Sequence, residues 1–265
     1  MRDHEAVAGS AHLARVLALA CLRIIALVVA VALYLAAASL MALVVVRVAG
    51  DLFDGINPFA EPALRPPLGM ARLAQRELAV DILRQGFLAA LVVLTAMWRE
   101  PSAWRRRLAL DRAEPNGMRA RHLLLILLFW PVLHIVWVTG TADAFGASFA
   151  QGVQLSPALS RTAITAWLVY VVMLAPAAEE LLMRGELFAS ARRFLPPAVA
   201  VVVTAVLFAL AHASAWGLAR PVSLMPLALM LGWLRWRTGR LWPCIALHGW
   251  SNLALIAYVL WPAHA

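Results

Sequence analysis

The stretch Ile24–Val46, IIALVVAVALYLAAASLMALVVV, decides the fold: it holds 23 residues and no charge. A helix of about 20 apolar residues crosses the hydrocarbon core of a bilayer. It also satisfies every backbone N–H and C=O from within, where no water can. The run is too long for the apolar segment of a secretion signal. It predicts a transmembrane helix.

The rest of the chain agrees with that stretch. Hydrophobic residues make up 63% of it and charged residues only 14%, whereas soluble domains are about a quarter charged. A soluble protein of this composition could not cover its surface with polar groups. The net charge is +9, yet lysine is absent and all 23 basic residues are arginine. Most of them sit in short stretches between apolar runs, where positive charge retains a loop in the cytoplasm. The charge therefore reads as topology, and no nucleic-acid partner is expected. The preference for Arg and Ala over Lys points to a GC-rich bacterial source and its cytoplasmic membrane. Cys21 and Cys244 lie far apart in apolar stretches, which gives no disulfide, CxxC pair or thiolate metal site.

An all-α, polytopic transmembrane bundle of about seven spans, within a range of six to eight, follows. The expected spans are Ile24–Val46, Ala79–Trp98, His122–Thr139, a helix from Ala163 to about Arg193, Pro197–Ala213, Pro221–Leu234 and Leu241–Trp261. Loops are expected over Arg47–Leu78 and Gly140–Arg161. Arginine clusters at 99–121, 184–193 and 235–240 follow the second, fourth and sixth spans. All three can be cytoplasmic, which places the N-terminus inside. Residues 1–162 carry three unassigned spans, and residues 163–262 carry four spans with the chemistry.

In the fourth span stands Ala-Pro-Ala-Ala-Glu179-Glu180-Leu-Leu-Met-Arg184, after 16 mostly apolar residues. Each charge near a bilayer centre costs about 2.5–3.5 kcal/mol on insertion scales. Two Glu and one Arg left unpaired would cost about 8–10 kcal/mol on that scale. Glu180 and Arg184 are four residues apart and share a helix face, so Arg184 can neutralise Glu180. Glu179 is turned by about 100° from that face and suits a general base. The plainer reading is that all three are interfacial residues at a helix end.

Two other helices carry costly polar groups. Phe208-Ala-Leu-Ala-His212 lies in the fifth span and His248-Gly-Trp-Ser-Asn252 in the seventh. A single His in an apolar helix is usually a packing residue, and His134 is assigned to that class. His248 and Asn252, at i and i+4, share a face and can both donate to an oxyanion; taken alone they could be interhelical polar contacts. A base, its partner and an oxyanion site converging from three helices form the equipment of hydrolysis.

These residues resemble the CAAX protease and bacteriocin-processing family, the CPBP or Abi group that includes the eukaryotic Ras-converting endopeptidase. The family pattern, Glu-Glu-xxx-Arg, then Phe-xxx-His, then His-xxx-Asn, is met by Glu179-Glu180-xxx-Arg184, Phe208-xxx-His212 and His248-xxx-Asn252. The Arg-Thr-Gly-Arg-Leu-Trp-Pro turn before the last motif is similar too. The resemblance covers about residues 163–262. It implies an intramembrane endopeptidase in which Glu179 and His212 activate water and His248 and Asn252 hold the oxyanion. Glu180 and Arg184 would support the site, and the substrate would be a membrane-associated peptide or protein.

A metal-free site is the expectation, because Asn252 suits an oxyanion donor better than a ligand and no His-Glu-xx-His signature is present. A divalent metal such as zinc on Glu179 and the two His is the alternative. Serine chemistry has only Gly146-Ala-Ser148-Phe-Ala150 to draw on, and aspartyl chemistry only Asp81. A non-proteolytic scaffold or bacteriocin-immunity protein that binds peptides is the rival outside enzymology. A transporter would need inverted repeats and broken helices, and neither is evident.

Overall fold

Wherever the sequence turns apolar for a helix's length, the chain is helical. The computed structural model describes residues 2–111, 118–147, 156–213 and 217–261; the side chains of 2–14 and of Pro62 lie outside that description. The first helices are α1 (Arg2–Phe53), α2 (Met70–Arg99), the short α3 (Trp104–Arg107) and α4 (Ala120–Phe145). A continuous helical rod, Arg161–Ala191, follows. Two π-helical segments divide it into α5 (Arg161–Val169), π1 (Tyr170–Leu174), α6 (Ala175–Glu180), π2 (Leu181–Leu187) and α7 (Phe188–Ala191). The last helices are α8 (Pro197–Ala211), α9 (Ala219–Thr238) and α10 (Trp242–Val259).

The protein is 81% helical with no strands among the described residues, an all-α membrane bundle as expected. Four helices are long and apolar enough to cross a bilayer: Arg15–Phe53, Met70–Arg99, Ala120–Phe145 and Arg161–Ala191. Pro197–Ala211 is a shorter apolar helix. Leu22, Leu33, Leu124, Leu128 and Val136 are exposed, as the lipid-facing side of such helices requires.

The expected loops are shorter than the composition suggested. Charges read as loop signals over Arg47–Leu78 are instead paired at helix ends. Arg76 donates to Asp51 at 2.8 Å and to Asp54 at 2.7 Å; Arg72 donates to Asp54, and Arg65 pairs with Asp51. With these charges matched, α1 runs on to Phe53 and α2 begins at Met70. The Gly140–Arg161 loop also starts late. Helix α4 passes through Gly140 and ends at Gly146, whose φ of 59° is left-handed. There Ala147 N–H returns to Ala142 C=O at 2.8 Å, a helix stop that glycine allows without strain. Ser148 and Ala150 of the Gly146–Ala150 string, and Pro262 at the end of the expected core, lie outside the described residues.

The basic loop after α2 does more than set topology. Arg107, on α3, is buried and donates to Glu186 of π2 at 2.5 and 2.7 Å, and to Glu100 at 2.7 Å. Its hydrogen bond to Glu186 raises the guanidinium above its ordinary value, so it stays charged in burial. Two residues on, Ala109 C=O accepts from Leu241 N–H at 3.0 Å, directly before α10. One loop therefore ties π2 to the start of α10. Around it, Leu88, Val92 and Ala96 of α2 pack with Leu182, Leu187, Ala205 and Phe208 in one core. The alanines let the helix backbones approach closely.

Glu186→Gln should destabilise the protein by about 3 kcal/mol, because it strips a buried arginine of its main charge partner. The double variant Arg107→Met/Glu186→Leu should recover most of that loss. Thermal unfolding in detergent measures both.

Candidate active site

The site is built where Pro176 interrupts the regular hydrogen bonding of the rod. Proline has no N–H, and in an α-helix its ring meets the carbonyl four residues back, here Val172. The chain accommodates it by widening to π1, where Ala175 N–H reaches back to Tyr170 C=O. The carbonyls of Val171 and Val172 both lie against α10. Asn252 donates its side-chain N–H to Val171 C=O at 2.9 Å. Val172 C=O lies so close to Gly249 that a Cβ there would stand 2.2 Å from it. Gly249 is the position where α10 can come this near, bringing His248 and Asn252 against the glutamates.

Glu180 is fully buried, as is Arg184. Its Oε1 accepts from Arg184 Nη1 at 3.0 Å and from His248 Nδ1 at 3.0 Å. Arg184 spends a second N–H on Ala228 C=O of α9 at 2.8 Å and stacks its guanidinium over the Phe208 ring at 4.7 Å. The same ring meets His212 and, edge-on, His248, with centroids 4.6 and 5.5 Å away. Phe208, quoted in the motif without a role, is the packing post shared by three polar side chains.

Glu179 faces the other way, as the helical turn requires. Its Oε2 lies 3.7 Å from His212 Nε2 and 3.9 Å from His248 Nε2. His212 is not inside the fifth helix, as expected from the sequence, but caps its C-terminal end. The ring Nδ1 there bonds the Phe208 carbonyl at 2.8 Å, one of the carbonyls a helix end leaves without a partner. A carbonyl and an ionised carboxylate only accept, so the bonded Nδ1 of each ring carries the hydrogen. A neutral ring then points an Nε2 lone pair at Glu179. Acceptors facing one another need hydrogens between them, and a water molecule or a protonated ring supplies them.

All four residues expected to be catalytic line one cavity of about 300 Å³. Asp81, His134, Tyr170 and Arg220 line it as well. His134 is a buried packing residue stacked on Trp130 at 6.3 Å, and it also borders this cavity. Asp81 is paired with Arg84 at 2.9 Å, and among the described residues the lining holds no second Asp. Gln85 of α2 was missed: its Nε2 donates to Glu179 Oε1 at 3.2 Å. An amide within an apolar span was the signal that could have found it.

Zinc is the cofactor that Glu179, His212 and His248 could hold by donor type, and zinc-bound histidines also give their other N–H to an acceptor. The Glu179 Oε2 to ring Nε2 separations of 3.7 and 3.9 Å are slightly wider than the about 3.4 Å between donors on four-coordinate zinc with bonds of about 2.0–2.1 Å.

Residues 160–254 match the family model described as Type II CAAX prenyl endopeptidase Rce1-like. That match, over somewhat more than a third of the chain, is a likeness to the CAAX protease family and supports a CAAX-type intramembrane protease in general. No curated protein and no solved structure matches it.

Gly249→Ala should lower the thermal midpoint by several degrees, because a backbone oxygen occupies the space of the new methyl. Gly86→Ala, with open space around it, should leave the midpoint within a degree. Parallel melts in one detergent distinguish the two.

Proposed function

We propose that the chain is an endopeptidase that hydrolyses a peptide bond of a membrane-associated protein or peptide, with water activated by Glu179. The observation carrying this reading is the approach of Glu179 Oε2 to the Nε2 atoms of both histidines within one cavity. A water held there donates one hydrogen to Glu179 and the other to His212 Nε2. Its oxygen attacks the scissile carbonyl carbon while Glu179 takes the proton. The resulting oxyanion accepts from Asn252, which keeps one side-chain N–H beyond the one given to Val171, and from His248 Nε2–H.

With Nδ1–H held by Glu180, an Nε2–H makes His248 an imidazolium. Collapse of the tetrahedral intermediate breaks the C–N bond, and Glu179 returns its proton to the departing amine. Proton transfer of this kind contributes about 10²–10⁴-fold, and each oxyanion donor about 10²–10³-fold.

The working site is metal-free in this reading, because Asn252 suits an oxyanion donor better than a metal ligand. The arginine clusters support an N-terminus in the cytoplasm of a bacterial cell, with the substrate reached from the cytoplasmic membrane. The matched family is described as a CAAX prenyl endopeptidase, and a prenylated peptide is the natural first probe. For a bacterial chain, a leader or other membrane-associated peptide is the better physiological candidate. A non-proteolytic scaffold or immunity protein is the rival, and it gives no reason for Glu179 and the ring nitrogens to converge.

Cells carrying Glu179→Gln should accumulate uncut envelope precursors and lose the corresponding fragments. An unchanged envelope peptide profile would contradict the proposal. The purified chain should retain activity in chelator and contain no stoichiometric metal; stoichiometric zinc with chelator-sensitive activity would overturn the metal-free mechanism.

A further inference from the structure

We infer that Gln85, from the part of the chain outside the family match, is a positioning residue that holds the Glu179 carboxylate in its working rotation. The inference rests on Glu179 being the base. Gln85 is 6% exposed and does not border the cavity, so it supports Glu179 from behind. Its Nε2 donates to Glu179 Oε1 at 3.2 Å, while Oε2 is the oxygen turned to the two rings. The two oxygens therefore have separate duties, one anchored and one facing the reaction.

The need for an anchor follows from the side chain itself. The last torsion of a glutamate is broad and roughly two-fold, so its own rotamer preference does not fix the carboxylate plane. Arg184 turns its Nη1 and Nη2 to Glu180 and the Ala228 carbonyl instead. The rings do not fix it either: both Nδ1–H groups are committed elsewhere, and the Nε2 atoms stand 3.7 and 3.9 Å from Oε2, beyond hydrogen-bond distance. Gln85 supplies the hydrogen bond these groups do not.

Packing alone does not account for a glutamine at this place. Its Oε1 is buried without a hydrogen-bond partner among the described residues, a cost that leucine or methionine would avoid. The contact that offsets this cost is the one to Glu179. The amide orientation follows from the chemistry, because the flipped form would set oxygen against oxygen. The helix beneath it is firmly held: Leu88, Val92 and Ala96, on the turns that follow, are 0–1% exposed.

The test compares the full chain in proteoliposomes with Glu179→Gln, Gln85→Met and Gln85→Glu, using an internally quenched prenylated CAAX peptide. Gln85→Met keeps the bulk and loses the donor; Gln85→Glu keeps the shape and sets a carboxylate against a carboxylate. Glu179→Gln should be inert. Gln85→Met should lose ten- to a hundredfold in kcat with KM within twofold, and Gln85→Glu should be slower still. Turnover by Gln85→Met and Gln85→Glu at the parent rate, with Glu179→Gln inert, would overturn the role of Gln85 and leave the base intact. Activity in Glu179→Gln would overturn the base and this inference with it. Should Gln85→Met not assemble, Gln85→Glu carries the test alone, and a kcat equal to the parent's would refute the role.

Discussion

The carboxylate of Glu180 lies between the Arg184 guanidinium and the His248 ring, with no exposed surface, and the arrangement of the site depends on that bridge. A lone charge at this depth would be too costly to keep. Between two hydrogen-bonded partners it becomes a fixed point that joins the rod to α10. Arg184 extends it to α9 through the Ala228 carbonyl, and the Phe208 ring extends it to α8. Four segments of the bundle are thus referred to one carboxylate. The neighbouring Glu179, turned by one helical step, is left free to face the cavity.

The backbone makes this possible through a local irregularity. Pro176 cannot complete the α-helical pattern, and the π segment before it turns two carbonyls toward α10. One of them meets the Asn252 amide, and the other is approached by Gly249. The residue that disrupts the rod therefore creates the seam along which two polar motifs meet. A second π segment, directly after Glu180, carries Arg184 and Glu186. Glu186 in turn holds the basic loop whose far side reaches the start of α10.

Much of this was legible in the sequence, because intramembrane charge is expensive and has to be explained. The pairing of Glu180 with Arg184 followed from their spacing, and the opposite facing of Glu179 from the helical turn. The apolar runs located the helices but not all their ends: α1 begins at Arg2, well before Ile24, and α2 at Met70, where Arg76 pairs with Asp51. Other features were not legible because they depend on tertiary partners. Spacing cannot reveal that the Glu180 carboxylate is shared with His248, 68 residues away. Nor can it show that Arg107 leaves its basic loop to meet Glu186, that His212 caps a helix instead of lying within it, or that Gln85 reaches Glu179 across 94 residues. The arginine cluster at 105–107 resembled an ordinary topological signal, and only packing separates Arg107 from its neighbours.

The most direct measurement of this account is nitrogen NMR of the full chain with labelled histidine, comparing the parent with Glu180→Gln. The bridge predicts a His248 Nδ1–H in the parent that is shifted downfield and slow to exchange with water, and its loss or marked upfield shift in the variant, with the His212 Nδ1–H retained on its carbonyl. Identical His248 spectra in the two proteins would contradict the claim that Glu180 organises the site.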